Sequence, residues 1–120
     1  MRVDEENGEK KLELKGLYIK LSDEIKSILK KYDKKEIYVA IRAENLFLYN
    51  HNNLNSKFEI ELEITENLGS EILIYGKIAD NEVIVKDYNK NYFDQRNILR
   101  VYFDSNKLLF FDVDTEERLY

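Results

Sequence analysis

Phe58-Glu59-Ile60-Glu61-Leu62-Glu63-Ile64 alternates apolar and acidic side chains without a break. In an extended chain successive side chains point to opposite faces, so this heptapeptide predicts a strand with one buried and one wetted face. A helix would scatter the same four apolar residues around its axis. Downstream, Glu66-Asn67-Leu68-Gly69-Ser70 interrupts the pattern and Ile72-Leu73-Ile74-Tyr75 begins another strand. Asp80-Asn81 separates Lys77-Ile78 from Val83-Ile84-Val85, which reads as a hairpin. A polar loop with scattered aromatics, residues 87–97, follows. Segments 98–103 and 108–113 then flank Ser105-Asn106, which reads as a second hairpin.

Upstream, Ile37, Val39 and Ile41 alternate with Tyr38, Ala40 and Arg42, and Asn50-His51-Asn52-Asn53 is a surface loop after Leu46 and Phe47. Earlier still the period changes. Leu21, Ile25, Ile28, Leu29 and Tyr32 share one face at helical spacing, and Ser22 is placed to cap the first free amides. Asp23 and Glu24 suit the positive end of the helix dipole, Lys30 and Lys31 the negative end, and the helix is predicted to end near Asp33. Before it, Leu12, Leu14, Leu17 and Ile19 form a strand pattern that Gly16 interrupts, predicting a bulge or bend.

The expected fold class is therefore mainly β with one short helix. No helical pattern separates the strands beyond Glu36, which argues against a parallel βαβ sheet and for a small antiparallel OB-like barrel or sandwich. The 120 residues are read as one domain, with an N-terminal strand and helix at about 11–33 and a β-barrel part at about 36–118.

Charge and composition exclude several chemistries. With 43% hydrophobic and 36% charged residues, the chain has enough apolar material for one core under a densely ionic surface. Nineteen basic against 24 acidic side chains leave a net charge of −5, a poor basis for neutralising phosphates, so nucleic acid is not an expected partner. Lys10, Lys11, Lys15 and Lys20 are interleaved with acids and apolar residues as on any solvated face. Cysteine is absent, which removes thiol nucleophiles and thiolate metal sites. No apolar run approaches the roughly 20 residues of a membrane-spanning helix, and Met1-Arg2-Val3-Asp4-Glu5-Glu6 has no signal-peptide core.

No catalytic constellation can be assembled either. The phosphate loop GxxxxGK[ST] does not occur. His51, the single histidine, sits in an Asn-rich loop and reads as an exposed loop residue. Asp104, Asp112, Asp114 and Glu116 lack the spacing of a calcium loop and read as turn acids. Glu59, Glu61 and Glu63 mark a wet sheet face or a docking surface for a basic partner. Tyr88, Tyr92, Phe93 and Tyr102 invite comparison with base-stacking platforms, but Lys86, Lys90, Arg96 and Arg100 are offset by Asp87 and Asp94. No catalytic residue, metal site or cofactor is expected in this chain.

Three segments, in register, resemble a known family. Val39-Ala40-Ile41-Arg42-Ala43-Glu44-Asn45-Leu46 is similar to the Gly-Ile-Arg-Pro-Glu-Asp-Leu signature of the C-terminal domain of sugar ABC importer ATPase subunits, with Ala40 and Ala43 in place of the usual Gly and Pro. Ile64-Thr65-Glu66-Asn67-Leu68-Gly69-Ser70-Glu71 resembles the Val-Glu-Leu-Gly-Ser-Glu turn, and Tyr75-Gly76 continues it. Phe103-Asp104-Ser105-Asn106-Lys107-Leu108 through Phe111-Asp112-Val113-Asp114-Thr115-Glu116 resembles the closing strand pair and Phe-Asp-x-x-Thr-Glu end. Residues 87–97 lack the Gly-Asp turn often seen there.

The resemblance, to the maltose and multiple-sugar group, implies an OB-like TOBE domain and a regulatory, dimer-holding role. It implies a homodimer, a parent ATPase domain carrying ATP and Mg, importer membrane subunits, a possible regulatory protein, and a cytoplasmic place at the inner face of the membrane. By the same resemblance this chain is an excised domain or a stand-alone remnant. The motif residues Arg42, Glu44, Asn67, Gly69, Ser70 and Glu71 are candidate fold and interface positions. Gly69 is expected to take a positive φ, and Asn67 and Ser70 to bond amides of the same turn. Arg42 and Glu44 are placed to form an ion pair or a contact to a neighbouring subunit, worth about 0–1 kcal/mol if exposed. The alternative from another class is a stand-alone OB-fold module binding a small anion or oligonucleotide.

Overall fold

A computed structural model describes residues 1–50, 54–87 and 98–120. His51 and most of the loop read at 87–97, including Tyr88, Lys90, Tyr92, Phe93, Asp94 and Arg96, lie outside the described residues. Among the described residues there are nine strands, one α-helix and two 3-10 turns, and every ladder is antiparallel. The chain is mainly β with one short helix, as its periodicity requires. No closed ring of ladders forms among the described strands. They cluster into two compact units, Met1–Ile41 with Ser105–Tyr120, and Arg42–Asp104.

The first unit begins with β1 (Arg2–Glu6) and β2 (Glu9–Leu14), joined through Asn7 and Gly8 at φ 53° and 79°. Two successive left-handed residues make the turn that matches strand twist, and Asn-Gly is its preferred sequence. No strand is expected before Leu12 from the apolar pattern, because Val3 is the one apolar residue in β1. Charge pairing takes its place, with Arg2 at 2.8 Å from both Asp4 and Glu13. The bend expected at Gly16 is a full reversal. Lys15 and Gly16, at φ 50° and 85°, fold β3 (Leu17–Tyr18) back along β2.

The helix α1 (Asp23–Lys31) starts where its capping signals place it, with Ser22 Oγ accepting from the Ile25 amide at 3.4 Å. Its Ile25 and Leu29 are buried, as is Leu12 on β2, against which the helix packs. A helix of nine residues is marginal alone, so this packing is what holds it. β4 (Ile37–Ala40) pairs with β9 (Leu109–Asp112), and Ile37 and Phe110 are buried there. The β4 segment also meets β1, through Val3 N–H to the Lys35 carbonyl at 2.7 Å and Ile37 N–H to that of Met1 at 2.9 Å. The buried Tyr32 donates its hydroxyl to the Glu36 carbonyl at 2.6 Å and accepts from the Val113 amide at 3.3 Å.

The second unit is a four-stranded sheet in the order β7-β6-β5-β8, where β5 is Ser56–Asn67, β6 Ile72–Ile78, β7 Asn81–Asp87 and β8 Ile98–Phe103. Its inner face buries Ile60, Ile74, Val85, Leu99, Val101 and Phe103. The expected β6–β7 hairpin is present, with Ala79 and Asp80 as its two turn residues. The expected second hairpin is not. β8 pairs with β5 and β9 with β4, and a 3-10 turn at Ser105–Lys107 lies between them. Each strand's hydrogen-bonding edge is taken by a partner distant in sequence, which no local turn signal reveals.

Candidate functional site

The alternation at residues 58–64 holds as far as Leu62 and then breaks. Leu62 sits opposite Gly76 but Ile64 sits opposite Tyr75, so Glu63 is the extra residue of a β-bulge. One inserted residue reverses every later side chain, and Ile64, expected inside, is 62% exposed on the outer face. There it forms one cross-strand row with Tyr75 of β6 and Ile84 of β7, the latter 39% exposed. On β8 Ile98, opposite Glu61, is 52% exposed on the same face.

Beside this row lies a shallow, open pocket of about 430 Å³, lined by Glu63, Ile64, Thr65, Glu66, Tyr75 and Glu82. The Tyr75 hydroxyl donates to Glu66 Oε2 at 3.2 Å, which orients the ring along the pocket. Partial burial, then the bond to Glu66, holds that phenol above its ordinary pKa. Lys77 approaches Glu63 at 3.6 Å from the neighbouring row. Glu59 is met by Arg100 at 3.8 Å. The strand acids thus read correctly as a wetted face, but the apolar row among them is revealed only by the bulge.

The other sequence-derived positions fall in two places within this unit. Arg42 immediately precedes, and Glu44 lies within, the 3-10 turn at Ala43–Asn45, which packs against β7. Both are exposed, and among the described residues no ion pair joins them. Asn67, Gly69, Ser70 and Glu71 make the β5–β6 turn. Gly69 takes φ 89°, where a β-carbon is strained, and its amide donates to Asn67 Oδ1 at 2.9 Å. The Leu68 amide donates to the Glu71 carbonyl at 2.8 Å, closing the turn.

In the first unit, the Phe-Asp-x-x-Thr-Glu end has a local purpose. Asp112 Oδ1 accepts from the amides of Asp114 and Thr115 at 2.8 and 3.0 Å and from Lys34 Nζ at 2.6 Å. Glu116 at φ 60° then turns the chain so that the Glu117 carbonyl receives the Asp112 amide at 2.8 Å. Asp112 is therefore occupied as a turn hub. Among the described residues no group of three or more His, Cys, Asp or Glu side chains is arranged to hold a metal ion. No described helix is long and apolar enough to cross a membrane.

No protein-family model matches the chain. It is 34% identical over 97 residues, 75% of its own length and 26% of the relative's, to the Oligosaccharides import ATP-binding protein MsmX of Bacillus subtilis (strain 168). It is 23% identical over 122 residues, covering 98% of this chain and 33% of the relative, to an uncharacterized ABC transporter ATP-binding protein, YurJ, of the same organism. The chain thus spans between a quarter and a third of the length of these curated relatives. It is similar, over that part, to ABC transporter ATP-binding proteins.

Proposed function

We propose that this chain is the regulatory, dimer-holding part of the ATP-binding subunit of a sugar ABC importer, a TOBE-type β domain that works by contact with other protein. The observation that carries the reading is the 34% identity to an oligosaccharide import ATP-binding protein over 97 residues. The motif positions support it, because Gly69 and Asn67 build the β5–β6 turn and Asp112 organises the last one. The sequence has no phosphate loop, so binding and hydrolysis of ATP with Mg belong to a separate ATPase domain.

The mechanism is mechanical. Two such domains that stay in contact hold their ATPases at high effective concentration while those open and close around nucleotide. The membrane subunits of the importer then receive the closure at the inner face of the membrane. Against a module for small anions stands the pocket lined by Glu63, Glu66 and Glu82, which repels phosphate and carboxylate. Sedimentation equilibrium of the purified chain across a wide concentration range tests the proposal. A reversible dimer is expected, and a strict monomer up to millimolar concentration overturns it.

A further inference from the structure

A two-faced antiparallel sheet ordinarily keeps its solvent side polar. The second unit does not. Its core is already filled by Ile60, Ile74, Val85, Leu99, Val101 and Phe103, yet the bulge at Glu63 lays the row Ile84–Tyr75–Ile64 across three strands of the outer face. Three carboxylates, Glu63, Glu66 and Glu82, line the pocket beside that row, and among the described residues no cationic side chain lines it. Lys77 and Lys86 stand in adjoining rows, opposite Glu82 and Leu73. The Lys77–Glu63 contact at 3.6 Å is an exposed pair of the kind an incoming cation exchanges at little cost.

We propose that this outer face is a docking surface for a polypeptide segment that is both apolar and basic, its aliphatic side chains on the Ile84–Tyr75–Ile64 row and a Lys or Arg in the carboxylate pocket. A basic side chain lays its methylene stem on apolar surface while its head stays at the charged rim, and the Tyr75 ring offers a π-face to the cation. A second copy of this chain is a poor occupant. Two copies stacked face to face would bring together two surfaces that each carry Glu63, Glu66 and Glu82, so that both sides of the contact have the same acidic character and neither supplies the missing cation. The inference stands on this unit alone and does not need the importer assignment.

The test uses the full chain and a fluorescein-labelled peptide of alternating leucine and lysine, with a leucine–glutamate peptide of equal length beside it. Anisotropy should report binding of the first peptide only. Replacing Glu63, Glu66 and Glu82 together by Gln, or Ile64 by Ser, should each weaken it by about tenfold or more. A control with the same change of net charge, Glu5→Gln with Asp33→Asn and Glu117→Gln in the first unit, should leave affinity within about twofold. Amide spectra of each variant establish that it is folded. The proposal is overturned if the two triple variants weaken binding equally, if Ile64→Ser has no effect, or if both peptides bind alike. It is overturned equally if Ile64→Ser converts a sedimenting dimer to monomer, which would make a second copy the occupant.

Discussion

Lys10 of β2 donates from Nζ to the Leu29 carbonyl at 2.8 Å and also to that of Tyr32, so a strand residue closes the C-terminal end of α1. The last turn of any helix leaves carbonyls without intrahelical partners, and its dipole favours a cation there. Lys10→Met keeps the aliphatic stem and removes the donor. A hydrogen bond to a charged group is worth about 1.5–3 kcal/mol, less where water reaches it. The variant should lose about 1–2 kcal/mol in urea unfolding, with faster amide exchange confined first to α1. The Leu29 carbonyl also accepts from the Tyr32 amide at 3.1 Å, so unchanged stability would show that this bond and solvent serve the two carbonyls as well as Lys10 does.

Gly76 is buried opposite Leu62, and a β-carbon there would lie 2.7 Å from Ile60 Cδ1 and 2.8 Å from the Glu61 carbonyl oxygen. The second contact is with backbone held in the β5–β6 ladder, so it is not relieved by a rotamer change. Gly→Ala often stabilises by about 0.4–1 kcal/mol through the unfolded chain. Overpacking of about 1–3 kcal/mol opposes it here and wins. Gly76→Ala should therefore lower the melting temperature by several degrees. A rise would mean that β5 and β6 separate more easily than the ladder implies.

Helix α1 was legible because its signals are local: the Ser22 cap, two acids in the first turn, two lysines in the last, and Ile25 and Leu29 on one face. The β5–β6 turn was legible for the same reason, Gly69 and Asn67 being chemically suited to it. β1 carried the Asn7–Gly8 signal but hid behind its charges, since it is held by pairing to β2 rather than by apolar alternation. The pairing of β8 with β5 and of β9 with β4 is set by tertiary contacts, which a turn at Ser105 does not announce. Of the outer face, the acids at Glu59, Glu61 and Glu63 were readable. The exposure of Ile64 was not, because the residues through the bulge keep the same apolar–polar alternation as a regular strand.

The β6–β7 hairpin turns on Ala79 and Asp80 at φ 47° and 66°, both left-handed and neither glycine. A β-carbon in that region costs about 1–2 kcal/mol, less for Asp or Asn. The chain solves the same geometry at Asn7–Gly8, with φ 53° and 79°. Ala79→Asn with Asp80→Gly should raise stability by about 0.5–1.5 kcal/mol in urea unfolding. The bonds that Asn81 makes to the carbonyls of Ile78 and Ala79 use backbone oxygens and survive the change. No gain would indicate that the local backbone relaxes away from the strained turn.

The Lys34–Asp112 contact makes the first unit sensitive to acid. The bond from Lys34 Nζ, followed by those from the Thr115 and Asp114 amides, holds the Asp112 carboxyl down to about 2. In the unfolded chain the same group titrates near 3.9. A carboxylate with a depressed folded pKa contributes stability above its unfolded value and loses it as pH falls through the folded one. Between about pH 5 and pH 2, then, the wild-type chain should lose stability more steeply than Asp112→Asn, and the two curves should converge at the acid end. Lys34→Met retains the carboxylate and its two amide donors, so its Asp112 should titrate between the wild-type value and about 3.9. Carboxyl-detected NMR titration of the two chains decides the matter. An Asp112 that titrates normally in the wild type would mean that Lys34 and the turn amides do not hold its charge in solution.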